Sequence, residues 1–384
     1  MTARNDNGGR APRVCIVAHF AYGAMTGGAT GHAGGVERQT TMLARWLADR
    51  GVDVSLVVWN EGQPSETTID GVRVLSVCAR DAGLPGLRFV HPRWTSLNHA
   101  LAAADADLYY QNCAECVTGQ VAWWTTRHQR KFVFSVASDP ECDVRLPTLP
   151  RARERVLYRY GLKRADRVIA QTAAQARMLK DGFGLDAVVL PMPCPAPVQS
   201  IEGGNGDEAA RPRFVWLGRI SPEKRVELVL DLAAARPSMR FDIGGPLDDS
   251  PYVAGIAQRA RALPNVTLSG RIERDRLGEF YRGARALLCT SAFEGFPNTF
   301  LEAWSCGVPV VSLIDPDDLL RNRGLGIAGR DLSELAQGLD VMASDAARWR
   351  TMSAAAREYY NARHTPAAAL PQFEALFRTV LKAS

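Results

Sequence analysis

The stretch that decides the fold is Ser291-Ala-Phe-Glu294-Gly295-Phe-Pro297-Asn298-Thr299-Phe-Leu-Glu302-Ala-Trp-Ser-Cys-Gly307-Val-Pro309-Val-Val. Apolar residues crowd Arg285 to Cys289 before it and Val308 to Leu313 at its end. That pattern predicts two strands with a helix start between them, a parallel crossover unit. Ligands of open α/β sheets bind beyond the carboxyl ends of strands, beside helix N-termini. Glu294 and Glu302 fall there, eight positions apart. Eight residues span about 12 Å of ideal helix, so the pair suits separate hydroxyls of one extended ligand better than one shared proton. Asn298 and Thr299 place N–H groups at the helix start, ready for phosphate. The expectation is an enzyme that holds something polyhydroxylated and phosphorylated.

Upstream, Gly218-Arg219-Ile-Ser221-Pro222-Glu223-Lys224 follows a strand and is read as opening a helix. Ser221 is a plausible N-cap, and Pro222 suits the first turn. Arg219 can fork onto phosphate oxygens, and Lys224 adds a flexible point charge. Strands are predicted at Phe214–Leu217, Arg240–Ile243, Val266–Leu268, Ala286–Cys289 and Val308–Leu313. Pro191 to Pro212, with its prolines and Gly-Gly-Asn-Gly-Asp-Glu run, reads as an interdomain linker.

The first half repeats the architecture. A strand at Arg13–Ala18 leads through a glycine-rich loop, Gly23 to Gly35, into a helix at Val36–Arg50 and a strand at Val52–Trp59. Strands are also predicted at Val72–Val77, Leu108–Tyr110, Phe132–Val136, Arg167–Ala170 and Val188–Leu190. The loop lacks both the dinucleotide fingerprint and the Gly-Lys-Ser/Thr of a triphosphatase. Gly34-Gly35 nevertheless lets backbone approach a ligand closely. The predicted fold is α/β, two Rossmann-like domains. Their bounds are 1–195 and 213–365, a linker fills 196–212, and a terminal helix at 366–384 returns to the first domain.

Composition fits this reading. A chain of 384 residues, 46% hydrophobic and 23% charged, suits two globular domains. No run of 18 apolar residues predicts a spanning helix, and Met1 to Pro12 lacks the apolar core of a signal peptide. A cytoplasmic location is expected, with peripheral contact at the inner face of the membrane allowed by the basic first domain. The formal charge of +5 is too modest, and too poor in reading motifs, to predict a nucleic-acid partner. Eight scattered cysteines read as reduced thiols.

The combination of Gly34-Gly35, Gly218-Arg219 with Lys224, Glu294 to Glu302, and Gly307-Val-Pro309-Val-Val resembles the retaining glycosyltransferases of family 4. The resemblance runs from Val14 to about Tyr360 and implies the GT-B fold, two facing Rossmann-like domains with a cleft between them. It implies that Arg219 and Lys224 bind the diphosphate of a UDP- or GDP-sugar and that Glu302 holds the ribose. Glu294 would face the transferred sugar. N–H groups near Phe296, Pro297, Asn298 and Thr299 would hold sugar and phosphate. Gly34 and Gly35 would cover the phosphate, with Gly218 at the opposite turn. Gly244, Arg271 and Ile272 would lie near the base. No metal or other cofactor is implied, the cationic side chains supplying the electrostatics. Many members carry a histidine where this chain has Ser138, followed by Asp139. Asp139 is therefore read as an acceptor-side residue that orients a hydroxyl or takes its proton. His19, after the first strand, is an alternative. The implied acceptor is a glycan or lipid-linked glycan. A sugar phosphorylase, or a non-catalytic sugar- or nucleotide-binding module, is the alternative reading.

Cys113-Ala-Glu-Cys116 reads as a pair of partly buried thiols rather than a redox or metal site. Asp315-Pro316-Asp317 reads as turn chemistry rather than a metal-binding pair. Arg80 to Arg93 and Arg145 to Lys163 are basic and interleaved with apolar side chains. They would suit a lipid diphosphate acceptor at a membrane surface, or a soluble anionic glycan.

Overall fold

The computed structural model describes residues 10–27, 34–197 and 211–383. Most of the expected linker and the middle of the first glycine-rich loop lie outside the described residues. The chain divides into two compact units. The first takes the chain up to Gln171, Gln175–Leu190, and everything from Leu370 on; the second takes Thr172–Ala174 and Pro191–Ala369.

The strands of the first unit are β1 (Arg13–Val17), β2 (Asp53–Asn60), β3 (Glu66–Ile69), β4 (Val72–Ala79), β5 (Leu108–Asn112), β6 (Lys131–Ser135), β7 (Arg167–Ala170) and β8 (Ala187–Val189). Among the described residues they form one sheet in the order β3-β4-β2-β1-β5-β6-β7-β8. All neighbours are parallel except β3 and β4. Along β1 every residue is buried. Cys15 and Val17 enter one apolar cluster, Val14 and Ile16 the other. That two-residue alternation, with helices on both faces, is the signature of a doubly wound parallel sheet.

The sequence reading missed β3. It is a short, half-exposed edge strand hairpinned to β4 through Asp70-Gly71, both with positive φ. The Asp-Gly pair was the available signal. The terminal helix Pro366–Lys382 presents Leu370, Phe373, Phe377 and Val380 to the cluster that holds Ile16, and Phe377 meets Tyr110 at 5.4 Å. Spacings of three and four residues make that stripe one helical face.

The strands of the second unit are β9 (Arg213–Leu217), β10 (Arg240–Gly244), β11 (Val266–Gly270), β12 (Ala286–Cys289), β13 (Val310–Ser312) and β14 (Gly326–Ala328). Their order is β11-β10-β9-β12-β13-β14, all parallel. Counted within the unit this is 3-2-1-4-5-6, the dinucleotide-binding order. Again β9 alternates, with Phe214 and Trp216 in one cluster and Val215 in the other. The reading missed β14, three residues too short to show a period. Pro191 to Cys194, read from composition as the start of a linker, is core of this unit instead: Met192 and Cys194 are buried. Cys194 bonds through its amide to the His364 carbonyl and accepts from the Tyr360 hydroxyl at 2.7 Å.

Candidate functional site

In a doubly wound sheet the crevice opens where the strand order reverses, because the loops leaving the two central strands turn to opposite faces. In the second unit that point lies between β9 and β12. The loop leaving β9 carries Gly218, Arg219 and Lys224, and the loop leaving β12 carries Thr290 to Pro297. Two segments far apart in sequence therefore meet.

Their junction is specific. The Lys224 ammonium donates to Glu294 Oε1, and both side chains are largely buried. The same oxygen accepts from Ser291 Oγ at 2.7 Å. The Ala292 amide bonds to the Glu223 carbonyl, and Thr290 Oγ1 donates to the Lys224 carbonyl at 2.7 Å. Arg225 completes the tie, its guanidinium donating to the carbonyls of Thr290 at 2.7 Å and Ser291 at 2.9 Å. Arg219 is exposed and held by Glu223 at 3.0 Å.

One local expectation is corrected. Ser221 does not open the α-helix. Pro222–Lys224 is a single 3₁₀ turn, Arg225 takes φ +49°, and the helix starts at Val226. The left-handed residue reverses the chain between turn and helix, which leaves Lys224 directed at Glu294. Arg225 went unnoticed in the sequence because arginine carries no propensity for that conformation.

Glycines line the ends of adjacent strands. The Gly218 amide bonds to Gly244 O, and the Gly245 amide to Gly270 O. A Cβ on Gly245 would sit 2.2 Å from the Gly218 carbonyl oxygen, and one on Gly244 would strike Ile272 and Leu217. The backbones must touch here, so side chains are excluded. Ile272 packs at the edge of this cluster, while Arg271 is exposed and paired with Glu273 at 3.2 Å.

The helix Asn298–Ser305 begins with Pro297 as its cap residue and no side-chain cap bond. Asn298 and Thr299 thus open its first turn. Phe296 is buried against Trp304 at 6.0 Å and His364 at 5.2 Å. Glu302 is buried within this helix, next to Tyr281, whose hydroxyl is pushed well above its ordinary range by burial and by that carboxylate. His364 is a further buried group that sequence reasoning missed. It bonds through Nδ1 to the Met192 carbonyl at 2.9 Å, and burial lowers it to about 4.

In the first unit the order reverses between β1 and β5. His19 follows β1, is buried, and lies against Trp59 at 4.2 Å. Among the described residues neither ring nitrogen has a hydrogen-bond partner, and Nδ1 is 3.8 Å from Glu115. Gly34 is the cap residue of the helix Gly35–Ala48. Asp139 opens the turn Asp139–Glu141 after β6 and accepts from Gln175 at 3.0 Å. Ser138 Oγ donates to Glu141 Oε1 at 3.1 Å. Glu141, unremarked in the sequence, is the centre of this loop. It accepts from the Ala137 amide at 2.9 Å and from the Cys113 thiol at 3.6 Å, and burial raises its carboxyl to about 7.

Cys113 takes φ +79°, and burial raises both its thiol and that of Cys116, the latter to about 11. Thiols so raised are poor nucleophiles. Asp315 accepts from the Leu320 amide at 2.7 Å and pairs with Arg321 at 3.4 Å, as a helix start requires. Among the described residues no group of three or more His, Cys, Asp or Glu side chains is placed to hold a metal ion. No helix among them is long and apolar enough to cross a membrane.

The family described as "Glycosyl transferase 4-like domain" matches residues 34–194, and "Glycosyl transferases group 1" matches residues 201–316. A D-inositol 3-phosphate glycosyltransferase of Kineococcus radiotolerans is 29% identical over 74% of this chain and 73% of its own. The protein of that name from Geodermatophilus obscurus is 26% identical over 86% of this chain and 82% of its own. Among solved structures, sucrose-phosphate synthase from Thermosynechococcus elongatus superposes with a TM-score of 0.77 at 19% identity, over 98% of this chain and 100% of that one. The α,α-trehalose 6-phosphate synthase of Burkholderia multivorans gives a TM-score of 0.72 at 12% identity, over 97% and 100%.

Proposed function

The chain belongs to family 4 of the glycosyltransferases, with the GT-B-type pair of Rossmann-like domains, and from that premise we propose that it moves a hexose from UDP or GDP to a hydroxyl of a glycan or lipid-linked glycan with retention of anomeric configuration. The observation that carries the reading is the Lys224–Glu294 pair at the strand-order reversal of the second unit. Lys224 and Arg219 bind the donor diphosphate. The resting Lys224–Glu294 pair opens as phosphate oxygens replace the carboxylate on the ammonium, and Glu294 is released to the hydroxyls of the donor sugar. Glu302 takes the ribose, and the N-terminus of Asn298–Ser305 takes phosphate. Gly244 and Gly245 let the base approach backbone, beside Arg271 and Ile272. Gly34 and Gly35 cover the phosphate, and Asp139 orients the acceptor.

Attack on the face from which the diphosphate departs lets a phosphate oxygen accept the acceptor's proton, so no dedicated carboxylate base is needed. Cationic side chains offset the charge that grows on the leaving group. The curated relatives are named for D-inositol 3-phosphate, a phosphorylated polyol. The role proposed here is in polysaccharide or glycolipid synthesis, at the inner face of the membrane where lipid-linked acceptors are presented.

The test is a screen of UDP- and GDP-hexoses without added metal, following nucleotide release and the anomer of the released sugar. One donor hydrolysed with retention is expected. Release with inverted configuration would refute retention, and no binding of any donor would refute the reading as a whole.

A further inference from the structure

The first unit contains a recess of about 780 Å³ lined by Gly86, Arg88, Phe89, Arg93, Arg151 and Arg153. Four arginines line one space, and little of their charge is answered by protein. Among the described residues only Arg151 has an acidic partner, Glu154 at 3.5 Å. Arg93 donates to the Arg80 carbonyl, and its Nε is buried with no hydrogen-bond partner among the described residues. Arg153 lies over the Phe89 ring at 4.6 Å, and Phe89 meets Trp94 edge-on at 5.7 Å.

Two features concern the helix that brings Arg151 and Arg153 to the recess. Arg151 and Arg153 stand at the cap and first turn of the helix Ala152–Arg164. A cation there opposes the helix dipole and weakens the helix. That helix is nonetheless locked to the helix Cys116–Arg127: a Cβ on Gly119 would lie 2.3 Å from the Leu157 carbonyl, and one on Gly161 would lie 2.8 Å from Thr118. Close glycine packing therefore sets the position of the helix that carries the two arginines.

Like charges gathered in a concave site are relieved by an anion, and the planar fork of arginine matches phosphate oxygens in pairs. The volume is far above that of a lone phosphate and within the range of pockets that take a small organic ligand. Phe89 offers an apolar face for a sugar ring. We infer that this recess binds a phosphate-bearing portion of the acceptor, with Arg88, Arg93 and Arg153 on the phosphate and Phe89 against the adjoining saccharide. Only the word acceptor rests on the glycosyltransferase reading; the anion site stands on the recess itself. Leu84, Leu87 and Val90 are exposed on the same segment, and Val156 on the helix. The phosphate can thus come from a soluble phosphorylated glycan or from a lipid headgroup, and the experiment separates the two.

Calorimetry of the full chain with glucose 6-phosphate, against glucose as the neutral control, is the first arm. Binding of the phosphate ester alone is expected, weakened about tenfold or more by Arg88→Ala with Arg153→Ala and less by the double Lys replacement, which keeps charge but loses the fork. Lys224→Ala should leave this binding unchanged and weaken UDP or GDP instead. The second arm is co-sedimentation with phosphatidylcholine vesicles with and without phosphatidylglycerol. Binding to the anionic vesicles that the arginine variant loses assigns a lipid source; glucose 6-phosphate binding without it assigns a soluble one. No preference for glucose 6-phosphate together with no preference for anionic vesicles overturns the inference. So does binding that survives the double Ala variant, or that is lost in Lys224→Ala. Failure here with nucleotide binding intact removes the recess alone; phosphate binding without nucleotide binding removes the donor reading alone.

Discussion

The two units place chemistry at the same point of similar sheets, yet they do it differently. In the second unit the groups at the strand-order reversal come from two short runs, Gly218–Arg225 and Thr290–Glu302, joined by charge and by backbone hydrogen bonds. In the first unit His19, Glu115 and the run Ser138–Glu141 come from three loops, and the acid at the centre of the β6 loop is buried rather than presented. On the proposed reading, a site that binds a common diphosphate can keep one set of residues close in sequence. On the same reading, a site for a particular acceptor is free to be assembled from loops, which tolerate change.

The sharpest test of this contrast is catalytic. Glu294→Gln, or Lys224→Ala, should lower turnover about 10²–10³-fold, the range found when one preorganised electrostatic group is removed. Near-wild-type turnover in a folded variant would mean that the Lys224–Glu294 pair is only a structural tie.

A second test sets the two units against each other by pH. Glu141 rises from its ordinary 4.5 to about 7, so its neutral form is favoured in the folded chain. Its stabilising contribution is full below pH 4.5 and is lost as pH rises through 7. His364 falls from 6.5 to about 4, so its contribution is full above pH 6.5 and is lost as pH falls through 4. Each amounts to about 3 kcal/mol. Denaturation followed from pH 4 to 8 should therefore show opposite slopes in the two units. Glu141→Gln should flatten the first and leave the second; a Gln variant with unchanged pH dependence would remove Glu141 as the cause.

Smaller effects probe the joints. Gly245→Ala drives a methyl into the Gly218 carbonyl and should cost about 1–3 kcal/mol in denaturant titration. An unaltered midpoint would show that the strand ends can part. Arg225→Ala removes both bonds to the loop after β12 and should weaken donor affinity about tenfold. If the loss falls on stability alone, Arg225 does not position the site. Asp139→Asn keeps an oxygen for Gln175 and should slow transfer about threefold with donor affinity unchanged. A loss confined to donor affinity would move Asp139 out of the acceptor role.

Much of this was legible beforehand. The strands of the central sheets announced themselves as buried apolar runs between glycine turns, since strands covered on both faces have no polar side to confuse the pattern. The Glu294–Glu302 run and the Gly218–Lys224 run could be read because each is contiguous. Short strands such as β3 and β14 were missed because a period cannot be seen in three or four residues. Glu141 and His364 carried no local mark, since burial is a property of what packs around a group.

The amino-acid order by itself determined the doubly wound architecture, the family and the two charged motifs, because periodicity, glycine turns and helix starts act over a few residues. Tertiary structure decided what those motifs do to one another. It joined Lys224 to Glu294 across 70 residues of chain, reversed the backbone at Arg225, and turned scattered arginines of the first unit into one recess. Each of these depends on strand order and on close contact between distant backbones. Electrostatic and packing energies follow distance in space, and distance in space is set only when the sheet is complete.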